Sequence, residues 1–184
     1  MSDPDAANWV RVWDPLVRLF HWSLALSFGV AWFSANSWDD LHIWAGYAAG
    51  ALVLARIAWG VMGTRYARFA QFIRSPSAVL DYLKQIARGG ETRYVGHNPA
   101  GGAMIVALML AMLATSLSGW ALNTDAFWGV AWMQRLHNGL ASGLLLMVCV
   151  HLAGVLLASL RHQENLVAAM ISGRKRAAQP NDIA

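Results

Sequence analysis

Residues 134–160 read QRLHNGLASGLLLMVCVHLAGVLLASL. The run is long enough to cross a bilayer, which takes about 20 apolar residues, and it holds no Asp or Glu. It does hold two histidines, His137 and His151, fourteen residues apart. At 3.6 residues per turn, fourteen is close to four turns, so both rings leave one helix face about 21 Å apart along the axis. An ionisable side chain inside a membrane span is a functional hypothesis by default. This spacing suits two metal centres stacked across a bilayer.

Three more stretches of spanning length, residues 16–37, 41–62 and 99–122, make a set of four without an intramembrane acid. The second is broken only by Arg56. The chain is 57% hydrophobic and only 13% charged, whereas soluble domains carry about 25% charged residues. The expected fold is an all-α membrane protein: a four-transmembrane-helix bundle forming one domain over residues 1–173. Cys149 is the only cysteine, so neither a disulfide framework nor a covalent C-x-x-C-H haem site is present. The first fifteen residues carry Asp3, Asp5 and Asp14, so no cleavable signal peptide is expected there.

Loop charge gives an orientation, because Lys and Arg are retained on the cytoplasmic side. Placing both termini inside puts Arg11, Arg18, Arg65, Arg68, Arg74, Lys84, Arg88, Arg93, Arg161, Arg174, Lys175 and Arg176 there. The outer side then keeps Arg135 beside Asp39, Asp40 and Asp125. Trp9, Trp13, Trp38, Trp44, Trp128 and Trp132 fall near segment ends, as an aromatic belt requires. The cytoplasmic loop 63–98 contains Ser75-Pro76, a cap followed by proline at the first helical position. An amphipathic surface helix over 76–88 follows, closed by Gly89. Residues 174–184 read as a basic, disordered tail.

Orientation converts position into depth. His21 and His151 lie toward the inner side, and His42 and His137 toward the outer side. Two imidazoles facing each other across a bundle form the axial ligand set of a low-spin b-type haem, which passes electrons because no open iron site remains. Two non-covalent, bis-histidine haems b are therefore expected. Ordinary packed histidines are the plain alternative, weakened by the paired depths. Zinc needs ligands converging on one metal, and di-iron needs bundle carboxylates as well; neither pattern is present.

Gly46, one turn below His42, and Gly139 and Gly143 in the fourth span leave room for a flat macrocycle. Close helix packing of small residues explains them equally well. Arg56, fourteen residues after His42, reaches the inner level, where it pairs with a haem propionate or snorkels to the surface. Arg135 stands in the same two-fold position near the outer haem. Gly96-His97-Asn98-Pro99 opens the third span, with Asn98 and Pro99 as cap and first helical residue. His162 is the second choice for the inner ligand after His151.

Taken together, Trp13-Asp14-Pro15-Leu16-Val17-Arg18-Leu19-Phe20-His21-Trp22, then His42-Ile43-Trp44-Ala45-Gly46-Tyr47, Gly96-His97-Asn98-Pro99, Leu136-His137 and Val150-His151 resemble the bacterial cytochrome b561 and nickel-iron hydrogenase b-type cytochrome subunit family, across about residues 9 to 165. The resemblance implies four transmembrane helices, two b haems and electron exchange with membrane quinone. It places one haem between helices one and four and the other between helices two and four. It also makes His97 and Asn98 candidate quinone contacts, beside their capping role; a histidine at an aqueous boundary offers a hydrogen bond and a proton path. Relatives often carry extensions that clasp a hydrogenase or dehydrogenase, whereas the outer loops here are short.

The function expected is a transmembrane electron conduit of the bacterial cytoplasmic (inner) membrane. It would link quinone or quinol to a periplasmic redox partner, such as a c-type cytochrome or an oxidoreductase subunit. The alternative is an enzyme, a superoxide oxidase passing electrons to quinone. That reading calls for a basic outer patch to steer the anion, and the outer face instead has three acids against one arginine. A colourless membrane anchor is a third reading, and no broken-helix repeat marks a transporter. Lipid surrounds the chain, a homodimer is compatible with it, and no nucleic-acid partner is expected.

Overall fold

Asp14 starts the first long helix. Its Oδ1 accepts the Val17 amide at 2.8 Å, and Pro15 takes the first helical position, where a missing amide is harmless. The other carboxylate oxygen accepts from the Thr64 hydroxyl and from the Trp59 indole nitrogen at 3.3 Å. Burial pushes the Asp14 carboxyl up, but these donors outweigh it and hold it below the usual carboxylate range.

The computed structural model describes residues 9–183. The expectation drawn from Asp3 and Asp5 falls on residues 1–8 and lies outside the described residues. In chain order the elements are strand β1 (Trp9–Arg11), helices α1 (Pro15–Ser34), α2 (Asp39–Met62), α3 (Phe69–Phe72), α4 (Pro76–Arg88), α5 (Pro99–Leu122), α6 (Ala131–Arg161) and α7 (Leu166–Ser172), and strand β2 (Arg174–Arg176). The helices α1, α2, α5 and α6 are long and apolar enough to cross a membrane. The protein is an all-α membrane protein with four transmembrane helices.

Helix ends differ from the hydropathy reading for local reasons. α1 stops at Ser34 rather than residue 37, because the amides of Ser37 and Trp38 both turn back to the Ser34 carbonyl at 3.0 Å. α2 starts two residues early, with Asp39 and Asp40 in a first turn whose dipole favours acids. α6 starts at Ala131 rather than 134, because Gly129 takes a left-handed turn (φ 73°) that launches the helix. Its 31 residues make a rod about 46 Å long, well beyond a hydrocarbon core of about 30 Å. Ser75 caps α4 by accepting the Ala78 amide at 3.3 Å, and Gly89 ends it in the left-handed region.

The described chain divides into two compact units. One comprises the described residues through Arg18, Trp59–Ile105, and those from His151 onward. Its small apolar cluster is Val12, Trp13 and Val95, packed with Val10, Tyr66 and Met170. The other comprises Leu19–Ala58 and Val106–Val150, drawn entirely from the four long helices and the two short connections between them.

The tail corrects the sequence reading. Residues expected to be disordered form β2, antiparallel to β1, with Val10 opposite Lys175. Ile183 then bridges Tyr94. Lys175 is 4% exposed, because Glu164 Oε2 meets its ammonium at 3.4 Å and the Tyr94 carbonyl accepts from it at 3.2 Å. Arg93, also buried, binds Glu164, Asp182 and the Arg176 carbonyl. Glu164 thus anchors this basic strand, through the Lys175 ammonium and the Arg176 amide. Burial alone would raise the Glu164 carboxyl; the Arg93 guanidinium and Lys175 ammonium outweigh it and hold the group low.

Candidate functional site

The first turn of α2 carries His42 and the second turn of α6 carries His137. Their ring centroids are 6.0 Å apart with planes at 89°. The Nδ1 of His42 lies 2.7 Å from the Ala31 carbonyl of α1. A carbonyl can only accept, so this nitrogen carries the proton. The Nδ1 of His137 lies 2.9 Å from the Ser118 hydroxyl of α5, which also contacts the Thr115 carbonyl at 2.9 Å. The consistent assignment gives the hydroxyl proton to Thr115 and the ring proton to Ser118. Both imidazoles then present Nε2 as their lone-pair nitrogen, the arrangement a metal ligand needs.

The separation fits a shared metal. A metal–imidazole bond is about 2 Å and a ring nitrogen lies about 1 Å from its centroid, so two imidazoles on opposite sides of one ion have centroids about 6 Å apart. On this chemistry and geometry the pair fits haem.

α5 approaches this pair closely. A Cβ on Gly119 would sit 3.0 Å from His137 Cε1, so a larger residue there would push the ring by a few tenths of an ångström. At Gly46 a Cβ would meet nothing within 4 Å, which leaves space one turn from His42. At Gly139 and Gly143, too, a Cβ would meet nothing within 4 Å, and both line a groove of about 390 Å³ with Ala111, Leu136, Leu140, Leu144 and Met147. Arg135 belongs to the same groove. Arg56 is 6% exposed, whereas an arginine snorkelling to the surface would show its head group to solvent.

His21 lies on α1 with its ring 5.0 Å from that of Trp22, edge to face. His151 lies half-buried on α6. His162 follows the end of α6. Burial lowers its affinity for a proton; among its neighbours Glu91 and Glu164 pull the value up, and Arg93 and Lys175 push it down. That setting is a charged cluster rather than an apolar ligand pocket.

His97 stands in the loop entering α5, its ring 4.4 Å from that of Trp13 and 4.8 Å from that of Phe72. Asn98 caps α5, its side-chain carbonyl accepting the Gly101 amide at 2.7 Å. It also hydrogen-bonds Tyr82, whose hydroxyl is pushed up to about 12 by burial and by the nearby Glu91 and Tyr94. Asn98 thus has two partners within the protein, with amide hydrogen-bonding capacity left over.

Ser118 and Phe72 were not singled out by sequence reasoning. Ser118 had a usable signal, since a hydroxyl inside an apolar span seeks a partner on another helix. Phe72, in a loop, had none.

The family model for prokaryotic cytochrome b561 matches residues 12–173. The chain belongs to the prokaryotic cytochrome b561 family. Neither the curated proteins nor the solved structures searched gave a match. Membership makes it a multi-pass membrane b-type cytochrome of electron transfer, and b-type haem is its cofactor class.

Proposed function

We propose that this cytochrome holds two haems b in the bacterial inner membrane, with both termini cytoplasmic, and carries electrons between the quinone pool and a periplasmic redox partner. The observation that carries the reading is the His42–His137 pair: centroids 6.0 Å apart, each Nδ1 tied to a neighbour, and each Nε2 left for a metal. Bound haem supplies one-electron exchange between ferric and ferrous iron. His42 and His137 would hold it between them, and with both imidazoles engaged the site would exchange electrons rather than bind oxygen.

His21 and His151 serve the second haem on this proposal, supported by the order of histidines along the spans and by family membership. Arg56 supplies a counter-charge for a propionate; its support is a buried guanidinium in an apolar span. Arg135 is proposed for the same task at the outer haem, and Gly46 gives the macrocycle room.

His97 is proposed to meet quinone. Its imidazole offers a hydrogen bond and a proton at the membrane boundary, and the aromatic rings of Trp13 and Phe72 around it suit a planar ligand. Asn98 serves mainly as the cap that sets the backbone of His97. The outer partner is a c-type cytochrome or an oxidoreductase subunit docking near His42 and His137.

Pyridine haemochrome quantitation of fully loaded, purified protein tests the reading. Two equivalents per chain are expected, and fewer than two would overturn it.

A further inference from the structure

α5 carries no histidine, yet it touches the candidate ligand pair through Ser118. We propose that Ser118 is a positioning residue that fixes the tautomer and orientation of His137 and thereby sets the reduction potential of the haem held by His42 and His137. The inference rests on the haem reading of that pair.

Ser118 is 7% exposed, so water does not compete for its hydroxyl. The hydroxyl donates to the Thr115 carbonyl and accepts the His137 ring proton, both at 2.9 Å. Donation to the carbonyl makes the oxygen a better acceptor, since chained hydrogen bonds polarise one another. A ring that donates from Nδ1 becomes more basic at Nε2. A more basic axial ligand stabilises ferric over ferrous iron, which lowers the potential. The neighbouring Gly119 lets the α5 backbone come near enough for this contact. His42 has the corresponding bond to a backbone carbonyl, which substitution cannot remove. Among the described residues, the adjustable acceptor on this ligand pair is Ser118.

The test is an optical redox titration of the full-length, haem-loaded protein in detergent. It compares wild type with Ser118→Ala, Ser118→Thr and Ser118→Cys, and includes His137→Ala in parallel. In Ser118→Ala the potential of one haem should rise while the other holds. The reduced-to-oxidised ratio at a fixed poise should change about three- to tenfold, ~30–60 mV for a one-electron couple. Ser118→Thr keeps the hydroxyl and should restore the wild-type value. Ser118→Cys, with a thiol as a weak acceptor, should fall between and keeps the comparison open if the alanine variant does not accumulate. Loss of one haem from Ser118→Ala with retention in Ser118→Thr would also support positioning. Unchanged potentials in the alanine or cysteine variant, or equal shifts in alanine and threonine, would overturn it. Full haem content in His137→Ala would instead overturn the haem reading beneath it.

Discussion

Arg93 and Glu164, 71 residues apart in sequence, form a buried bidentate ion pair: Nη2 meets Oε1 at 2.8 Å and Nε meets Oε2 at 3.3 Å. Fork geometry of this kind adds direction as well as charge. Their side chains are 4% and 7% exposed. Removing Glu164 leaves Arg93 to Asp182 alone and takes the carboxylate from the buried Lys175; breaking a buried pair costs up to roughly 3–5 kcal/mol. Glu164→Gln is therefore expected to lower the thermal midpoint measured by circular dichroism in detergent. An unchanged midpoint would count the network as decoration.

The same network makes the C-terminal strand sensitive to acid. Glu164 and Asp182 are both held below their ordinary values, burial opposing and Arg93 among the groups that win. A depressed carboxyl stabilises the fold fully above its unfolded value, about 4.3 for Glu. That contribution is lost as pH falls through the lower folded value. Amide protection across residues 174–183, each observed rate compared with the intrinsic rate at the same pH, is expected to be high at pH 7 and to fall below about pH 4. Protection that persists to pH 2 would contradict it.

The histidines divide by haem. His42→Ala and His137→Ala are each expected to leave about one haem per chain and to remove the same one, identified by its band and potential. His21→Ala and His151→Ala should remove the other. His162→Ala should keep both, since His162 sits among charges. A His162→Ala variant lacking one haem, with His151→Ala intact, would reverse the assignment.

His97→Ala should retain both haems and slow electron exchange with quinol by about 10²-fold, the lower range for loss of a proton-handling group. Stopped-flow haem reduction by a soluble quinol measures this. Trp13→Ala should slow it less, because it removes only the ring 4.4 Å from His97. Wild-type kinetics in His97→Ala would remove the residue from the quinone site.

Local signals in the sequence were legible because they act over three or four residues. Ser75 accepts from Ala78 and Asn98 from Gly101, and each cap can be read from its own neighbourhood. The His42–His137 meeting was also legible, because span length and loop order fix depth. The ordered tail was hidden, and for a physical reason. Arg174-Lys175-Arg176 reads as a solvated run unless Glu164 is known to meet it, and its partner strand begins at Trp9. Pairings across nearly the whole chain leave no periodicity to find.

The planes of His42 and His137 stand at 89°. Were the proposed haem held between them, each imidazole π system would meet a different iron d orbital, and perpendicular rings would leave those two orbitals nearly equal in energy. The unpaired electron of ferric iron would then keep much of its orbital motion, and its magnetism would be strongly direction-dependent. Frozen oxidised samples are expected to show an electron paramagnetic resonance line at unusually low field, where rings turned parallel would give an ordinary rhombic spectrum.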